Sequence, residues 1–166
     1  MASRRKGRIL AFQALYFWES NRAEVTVEEL VSFSWLDEEK LETLDESMAA
    51  FSRTMIAGTI ENIDEVDAMI KKHLENWDIS RLNKVDLAVI RISVYTLMFQ
   101  RDIPPSIVID EAIGICREYG ADESFKFVNG VLDSVKKTLQ MSTLQESTLQ
   151  MSTLQESTKE TCVSQN

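Results

Sequence analysis

The residues best suited to chemical contacts lie in the first eight positions of the chain. Four of the 18 lysines and arginines fall there, as Arg4, Arg5, Lys6 and Arg8. Arg5 and Arg8 are one helical turn apart, and Arg4 lies four residues before Arg8, so a helix would gather these cations on one side. Guanidinium groups bind phosphate oxygens bidentately and stack on bases, which suits a strand of RNA. The alternative is a flexible N-terminus that serves only solubility.

A second group of candidate contact residues lies near residue 125, in the segment Glu123-Ser124-Phe125-Lys126-Phe127-Val128-Asn129-Gly130. Phe125 and Phe127 are two residues apart, about 200° around a helix, so they cannot both face one core. We expect one ring in the core and the other partly exposed beside Lys126, where it could stack on a base. The alternative is that both rings line an interface between helical subdomains.

The sequence contains no constellation that is typical of an enzyme. It has no phosphate-binding glycine loop, no Cys-x-x-Cys, no paired histidines and no Gly-x-Ser-x-Gly. The single histidine, His73, and the two cysteines, Cys116 and Cys162, have no metal-ligand spacing. We therefore expect a protein that is not an enzyme and uses no cofactor or metal, with His73 at the surface and Cys116 in the core.

Composition favours a single helical domain with a local contact surface. The net charge of −9 argues against coating nucleic acid through bulk electrostatics. The chain is 44% hydrophobic and has only five glycines and two prolines, too few turn formers for a β-rich fold. The apolar stretch after the basic run is too short for a membrane span and lacks a clean signal-peptide cleavage site. We expect a cytoplasmic protein.

Hydrophobic spacing predicts where the helices lie. A first helix covers residues 4 to 20, and capping boxes at residues 26–29 and 43–46 predict the starts of two more. The second of these has a possible break near Asn62. Residues 85–99 are apolar on nearly every side, which predicts a buried central helix. We expect its charged residues, Asp86 and Arg91, to be exposed or partner-facing, and Gly130 in the last helix to permit a close helix contact.

The end of the chain differs in character from the rest. Residues 139–148 and 149–158 are identical copies of Leu-Gln-Met-Ser-Thr-Leu-Gln-Glu-Ser-Thr. Leucine at every fifth position fits neither the helical nor the strand period, and serine and threonine are poor in helix interiors. We therefore predict a helical domain over residues 1–138 and a disordered, low-complexity tail over residues 139–166.

Several segments together resemble the NusB transcription antitermination family. The match covers residues 4 to about 137, in family order and spacing, with residues 22–75 similar mainly in pattern. Its segments are Arg4-Arg5-Lys6-x-Arg8 with Gln13-Ala14-Leu15-Tyr16-x-Trp18, Lys84-Val85-Asp86-x-Ala88-Val89-Ile90-Arg91-Ile92, Asp102-Ile103-Pro104, Ile109-Asp110-Glu111-Ala112-Ile113 and Lys126-Phe127-Val128-Asn129-Gly130-Val131-Leu132-Asp133.

The resemblance implies an all-α, two-subdomain bundle of about seven helices. It also implies binding to the boxA element of ribosomal RNA leader transcripts, together with the NusE ribosomal protein. The pair would join the elongating RNA polymerase antitermination complex. Carried over by position, the RNA surface comprises Arg4, Arg5, Lys6, Arg8, Lys126 and Phe127, and the protein-partner surface comprises Tyr16, Asp86 and Glu123.

Two positions depart from the family pattern, and two other functions stay open. Ile9 stands where an acidic residue is frequent, and Glu123 stands where aspartate is common. The same fold occurs as an RNA-binding domain of ribosomal RNA cytosine methyltransferases, which would require a catalytic domain after residue 137. A protein-interaction scaffold without RNA binding is the other alternative. The sequence leaves open whether the free protein is a monomer or a homodimer.

Overall fold

The computed structural model describes the backbone of residues 2–163 and the side chains of residues 4–155. Within these bounds the chain forms helices and no strand, which confirms the all-α prediction. The α-helices are α1 (Ala2–Ser20), α2 (Val27–Val31), α3 (Glu38–Glu42), α4 (Glu46–Glu61), α5 (Ile63–Lys72), α6 (Lys84–Phe99), α7 (Pro105–Tyr119) and α8 (Ser124–Val163), and a 3₁₀ helix covers Ile79–Arg81. The chain divides into two compact units, Met1–Val135 and Lys136–Asn166.

Helix α6 is the centre of the first unit, as its apolar sequence predicts. Every residue from Asp86 to Leu97 is buried. Helices α1, α4, α5 and α7 pack around it, and α2 covers α4. Each fully buried leucine, isoleucine or valine contributes about 1.5–3 kcal/mol, so the packing around α6 is a main source of stability.

Two glycines allow helices to approach α4 closely. A Cβ atom at Gly7 of α1 would lie 2.6 Å from Phe51 Cδ1, and one at Gly58 of α4 would overlap the ring of Tyr95 on α6. At Gly130, for which we predicted this role, a Cβ atom would meet no other atom within 4 Å. That prediction was wrong, because Gly130 lies on the exposed side of α8.

The helix starts agree with the sequence at one capping box and differ at the other. Thr26 and Glu29 form the predicted box at the start of α2. At the second site the cap is Asp45, whose carboxylate accepts a hydrogen bond from the Met48 amide at 2.9 Å. The Thr43 hydroxyl instead donates to carbonyls of α3, a short helix that the acidic sequence did not predict. The break near Asn62 is confirmed, since this residue separates α4 from α5.

The structure differs from the prediction of a disordered tail. Helix α8 continues to Val163, although every described side chain from Gln140 onward is exposed. The repeat's hydroxyls donate to carbonyls within the helix, as Ser142 does to Thr138 at 3.1 Å, and leucine, glutamine, methionine and glutamate all favour helix. Residues 164–166 lie outside the described part. The boundary between domain and tail at residue 138 stays a prediction.

Candidate nucleic-acid interface

Helix α1 presents its basic residues in three different environments. Arg4 and Lys6 are exposed, and Arg5 is half-buried. Arg4 and Arg8 lie over the same Phe51 ring, as their spacing predicts, but Arg8 is only 7% exposed, so the expectation that it is part of the exposed basic surface was wrong. Its guanidinium carbon lies 5.4 Å from the centre of the Phe51 ring on α4. Burial lowers the pKa of Arg8, while the charge of Glu111 opposes this shift.

Arg5 is held by helix α7. Its Nη2 atom lies 3.3 Å from Glu118 Oε2, and its Nη1 atom lies 3.6 Å from Glu111 Oε2. Gly114 lies between these acids on α7, and a Cβ atom there would be 2.7 Å from Arg5 Nη1. The missing side chain therefore makes room for the guanidinium group.

Both phenylalanines at the start of α8 are half-buried, so the expectation that one lies in the core was wrong. The core face of α8 instead carries Val128, Val131, Leu132 and Val135. The guanidinium carbon of Arg117, on α7, lies 4.5 Å from the centre of the Phe125 ring. Lys126 is exposed, lies 6.0 Å from the same ring centre and forms an ion pair with Glu123. Phe127 lies beside this cluster in sequence.

Sequence reasoning missed Arg117. No sequence spacing pointed to it, because the turn between α7 and α8 decides which side chains of the two helices meet. Arg117 covers Phe125, and the next residue, Glu118, binds Arg5. The last turn of α7 thus connects the basic residues of α1 with the aromatic and basic residues that open α8.

Tyr16 is the predicted partner residue that lines a groove, and its side chain is 43% exposed. The groove has a volume of about 440 Å³ and is lined by Tyr16 together with Phe12, Gln13, Phe17, Trp35, Leu36, Asp37, Lys40, Val85 and Tyr119. Two aromatic pairs form its walls. Phe17 stacks on Trp35 with ring centres 5.9 Å apart, and Phe12 contacts Tyr119 at 5.1 Å.

The other two predicted partner residues differ sharply in exposure. Glu123 is exposed and has a backbone φ of 68°, a left-handed conformation that is costly for glutamate. Asp86 is only 7% exposed and accepts a hydrogen bond from the Ser124 hydroxyl at 3.0 Å. Burial raises the pKa of Asp86, and the Ser124 hydrogen bond partly offsets that rise. The expectation that Asp86 is exposed was therefore wrong, and its role toward a partner stays a prediction.

Arg91 is likewise buried rather than exposed. Its guanidinium group binds both carboxylate oxygens of Asp67, at 2.8 and 2.9 Å, and Glu19 Oε2 at 2.6 Å. The charge is retained because these hydrogen bonds raise the pKa of Arg91 against the effect of burial. The network joins α1, α5 and α6 and is structural in character.

The remaining candidates for chemistry are His73 and Cys116. No cluster of three or more potential metal ligands is found among these residues. Burial raises the pKa of the Cys116 thiol to about 12, and His73 Nδ1 lies 2.9 Å from the Ser134 hydroxyl. Among the described helices, none is both long and apolar enough to cross a membrane.

The fold and this surface define a small all-α bundle with an arginine-rich first helix, and sequence comparison assigns it to a family. A sequence model of the NusB family matches residues 5–137. The chain is 51% identical over 133 residues to the transcription antitermination protein NusB of Treponema denticola, covering 80% of this chain and 95% of the relative. It therefore belongs to the NusB family.

Solved structures agree with this assignment. T. maritima NusB is 40% identical, with a TM-score of 0.72, and the match covers 81% of this chain and 90% of that one. A crystal structure of the antitermination factors NusB and NusE in complex with dsRNA matches with 29% identity and a TM-score of 0.73. That match covers 83% of this chain and 98% of that chain.

Proposed function

We propose that this chain is a transcription antitermination factor that binds boxA-type single-stranded RNA of ribosomal RNA leader transcripts. In this proposal it acts together with the NusE ribosomal protein and joins elongating RNA polymerase. The observation that carries the proposal is the similarity to a NusB chain whose structure was solved with NusE and dsRNA. The match covers 98% of that NusB chain. The role is that of a cytoplasmic adaptor without catalytic activity or cofactor.

The RNA surface that we propose begins with the exposed cations of α1, Arg4 and Lys6, and with Arg5. It continues over α7 to Lys126 and Phe127, and we add Arg117, whose guanidinium group lies over Phe125. Arg8 supports this surface from inside the fold, since it is buried against Phe51. So few exposed cations can neutralise only a few phosphates. For three to four contacts, log K against log salt should have a slope of about −2 to −3.

The partner surface that we propose is centred on the groove beside Tyr16 and on Glu123. A ribosomal protein is basic in general, and the exposed carboxylate of Glu123 would complement it. Asp86 contributes indirectly, because its hydrogen bond to Ser124 fixes the start of α8 next to Glu123.

A binding experiment with a boxA-type RNA oligonucleotide tests the proposal. The affinity of the purified chain is measured by fluorescence anisotropy for the single strand and for a duplex of the same sequence, with and without NusE. We expect weak binding of the single strand alone, tighter binding with NusE, and a preference for the single strand over the duplex. An affinity that NusE leaves unchanged would contradict the adaptor role. Binding of NusE without any RNA affinity would favour the scaffold alternative.

A further inference from the structure

Among the α1 cations proposed to bind RNA, Arg5 is already neutralised in the free chain. The Arg5 guanidinium group lies 3.3 Å from Glu118 Oε2 and 3.6 Å from Glu111 Oε2, both on α7. By contrast, neither Arg4 nor Lys6 forms an ion pair with any residue that the structure describes. Arg5 therefore differs from Arg4 and Lys6 because carboxylates of the same chain compete with an RNA phosphate for its guanidinium group.

The site that holds Arg5 is shaped for a guanidinium group and open to solvent. Glu111 and Glu118 are seven residues apart, two turns along one face of α7, and Gly114 lies between them. A Cβ atom at residue 114 would be 2.7 Å from Arg5 Nη1, so a larger residue would push the arginine away. The side chains of Arg5 and Glu118 are 38% and 50% exposed, so an RNA phosphate can reach the pair.

We propose that Glu118 holds Arg5 in the free protein and gives it up to an RNA phosphate on binding, so that this carboxylate limits RNA affinity. The inference rests on the proposed function. Each guanidinium N–H donates to one acceptor, so a phosphate oxygen that takes the Nη2 hydrogen now directed at Glu118 Oε2 must displace that carboxylate. The exchange replaces one anion by another and leaves Arg5 paired in both states.

Glu118 is a better target for the test than Glu111. Glu111 is less exposed, and its charge also acts on the buried Arg8, so a change there would disturb the interior. Glu118 lies at the surface, where a glutamine keeps the shape and most of the hydrogen-bonding capacity of the side chain. A loss of folding is therefore not expected for Glu118→Gln, and thermal unfolding checks this.

The experiment compares RNA affinities of four variants by fluorescence anisotropy with a labelled boxA-type single-stranded oligonucleotide. The variants are Glu118→Gln, the control Glu65→Gln, Arg5→Ala, and the double variant Arg5→Ala with Glu118→Gln. Glu65 is an exposed acid on α5, which packs on α4 and α6, so its change removes the same charge elsewhere. Exposed ion pairs are weak, so we expect Glu118→Gln to lower Kd by about two- to fivefold. The gain should shrink at high salt, because exposed pairs are screened.

The double variant separates a specific exchange from a general charge effect. If Glu118 acts through Arg5, adding Glu118→Gln to Arg5→Ala leaves Kd unchanged. Equal gains from Glu118→Gln and Glu65→Gln, or a full gain in the Arg5→Ala background, would overturn the inference and leave the proposed function intact. A wild-type chain with no measurable RNA affinity would overturn both.

Discussion

Asp86 is a buried carboxylate whose ionisation opposes folding. Its folded-state pKa lies above the ordinary value of 3.8, since burial disfavours the charged form. The folded chain therefore binds this proton more tightly than the unfolded chain, so the contribution of Asp86 to stability increases as pH falls from the raised pKa towards 3.8. At pH values above the raised pKa, the charged form carries its full cost.

We expect Asp86→Asn to be at least as stable as the wild type at pH 7, because the amide oxygen still accepts the Ser124 hydrogen bond and no charge is buried. Its advantage in Tm should shrink as the pH falls through the raised pKa, because the buried wild-type carboxyl then takes up a proton. Asp86→Ala is the control, since it leaves Ser124 without its acceptor and should cost about 1–3 kcal/mol. An Asp86→Asn variant that is clearly less stable at neutral pH would contradict this account.

Arg8 and Lys6 differ in burial although both are cations of the same helix. Arg8→Ala should lower the free energy of unfolding by about 1–3 kcal/mol, because it removes packing against Phe51 and a cation near Glu111. Lys6→Ala, at an exposed position, should leave the urea midpoint unchanged and weaken RNA binding. Equal stability of the two variants would show that the buried guanidinium contributes nothing to the fold.

At the scale of the helices, two glycines should respond oppositely to the same substitution. Gly58→Ala places a methyl group against the ring of Tyr95 and should destabilise the chain by about 1–3 kcal/mol. In Gly130→Ala the added methyl group has no neighbouring atom within 4 Å. Because the residue lies inside a helix, the substitution should stabilise the chain by about 0.5–1 kcal/mol. Chemical denaturation measures both changes. A destabilised Gly130→Ala variant would mean that another surface covers this side of α8.

The contact between α7 and α8 offers a second test at this scale. Arg117→Ala should weaken binding of single-stranded RNA, because it removes an exposed cation from beside Phe125 and Lys126. The expected loss is about 1 kcal/mol or less for a surface contact with one phosphate, and the salt slope should fall by about 0.7. Arg101→Ala, another exposed arginine, serves as the control. An unchanged salt slope would remove Arg117 from the RNA surface.

For the whole molecule, the repeat should be dispensable. The described side chains from Gln140 onward are all exposed, so the tail helix buries little apolar surface of its own. We expect truncation after Gln140 to leave Tm and RNA affinity unchanged, measured by circular dichroism and anisotropy. A fall in Tm of more than a few degrees would show that the tail stabilises the bundle.

The sequence alone determined what depends on local pattern. The apolar run over residues 85–99 predicted the buried central helix, the Thr26 capping box predicted the start of α2, and the motifs from Arg4 to Asp133 predicted the family. These features could be predicted because periodicity, caps and family motifs each depend on residues within a short segment. The prediction of the second capping box was wrong because Thr43 and Asp45 can both cap a helix. The Thr43 hydroxyl donates to a carbonyl of α3, and Asp45 caps α4 instead.

The tertiary structure alone decided which charges are buried. Arg8, Asp86 and Arg91 lie on helices whose sequence shows only that a charge is present, and each is covered by a different helix or side chain. Phe51 covers Arg8, Ser124 binds Asp86, and Asp67 binds Arg91. These partners are 24 to 43 residues away in sequence, so no local pattern encodes them. The packing of the helices decides which charged side chains are buried. It therefore also decides which cations are exposed and can bind a ligand, and which support the fold.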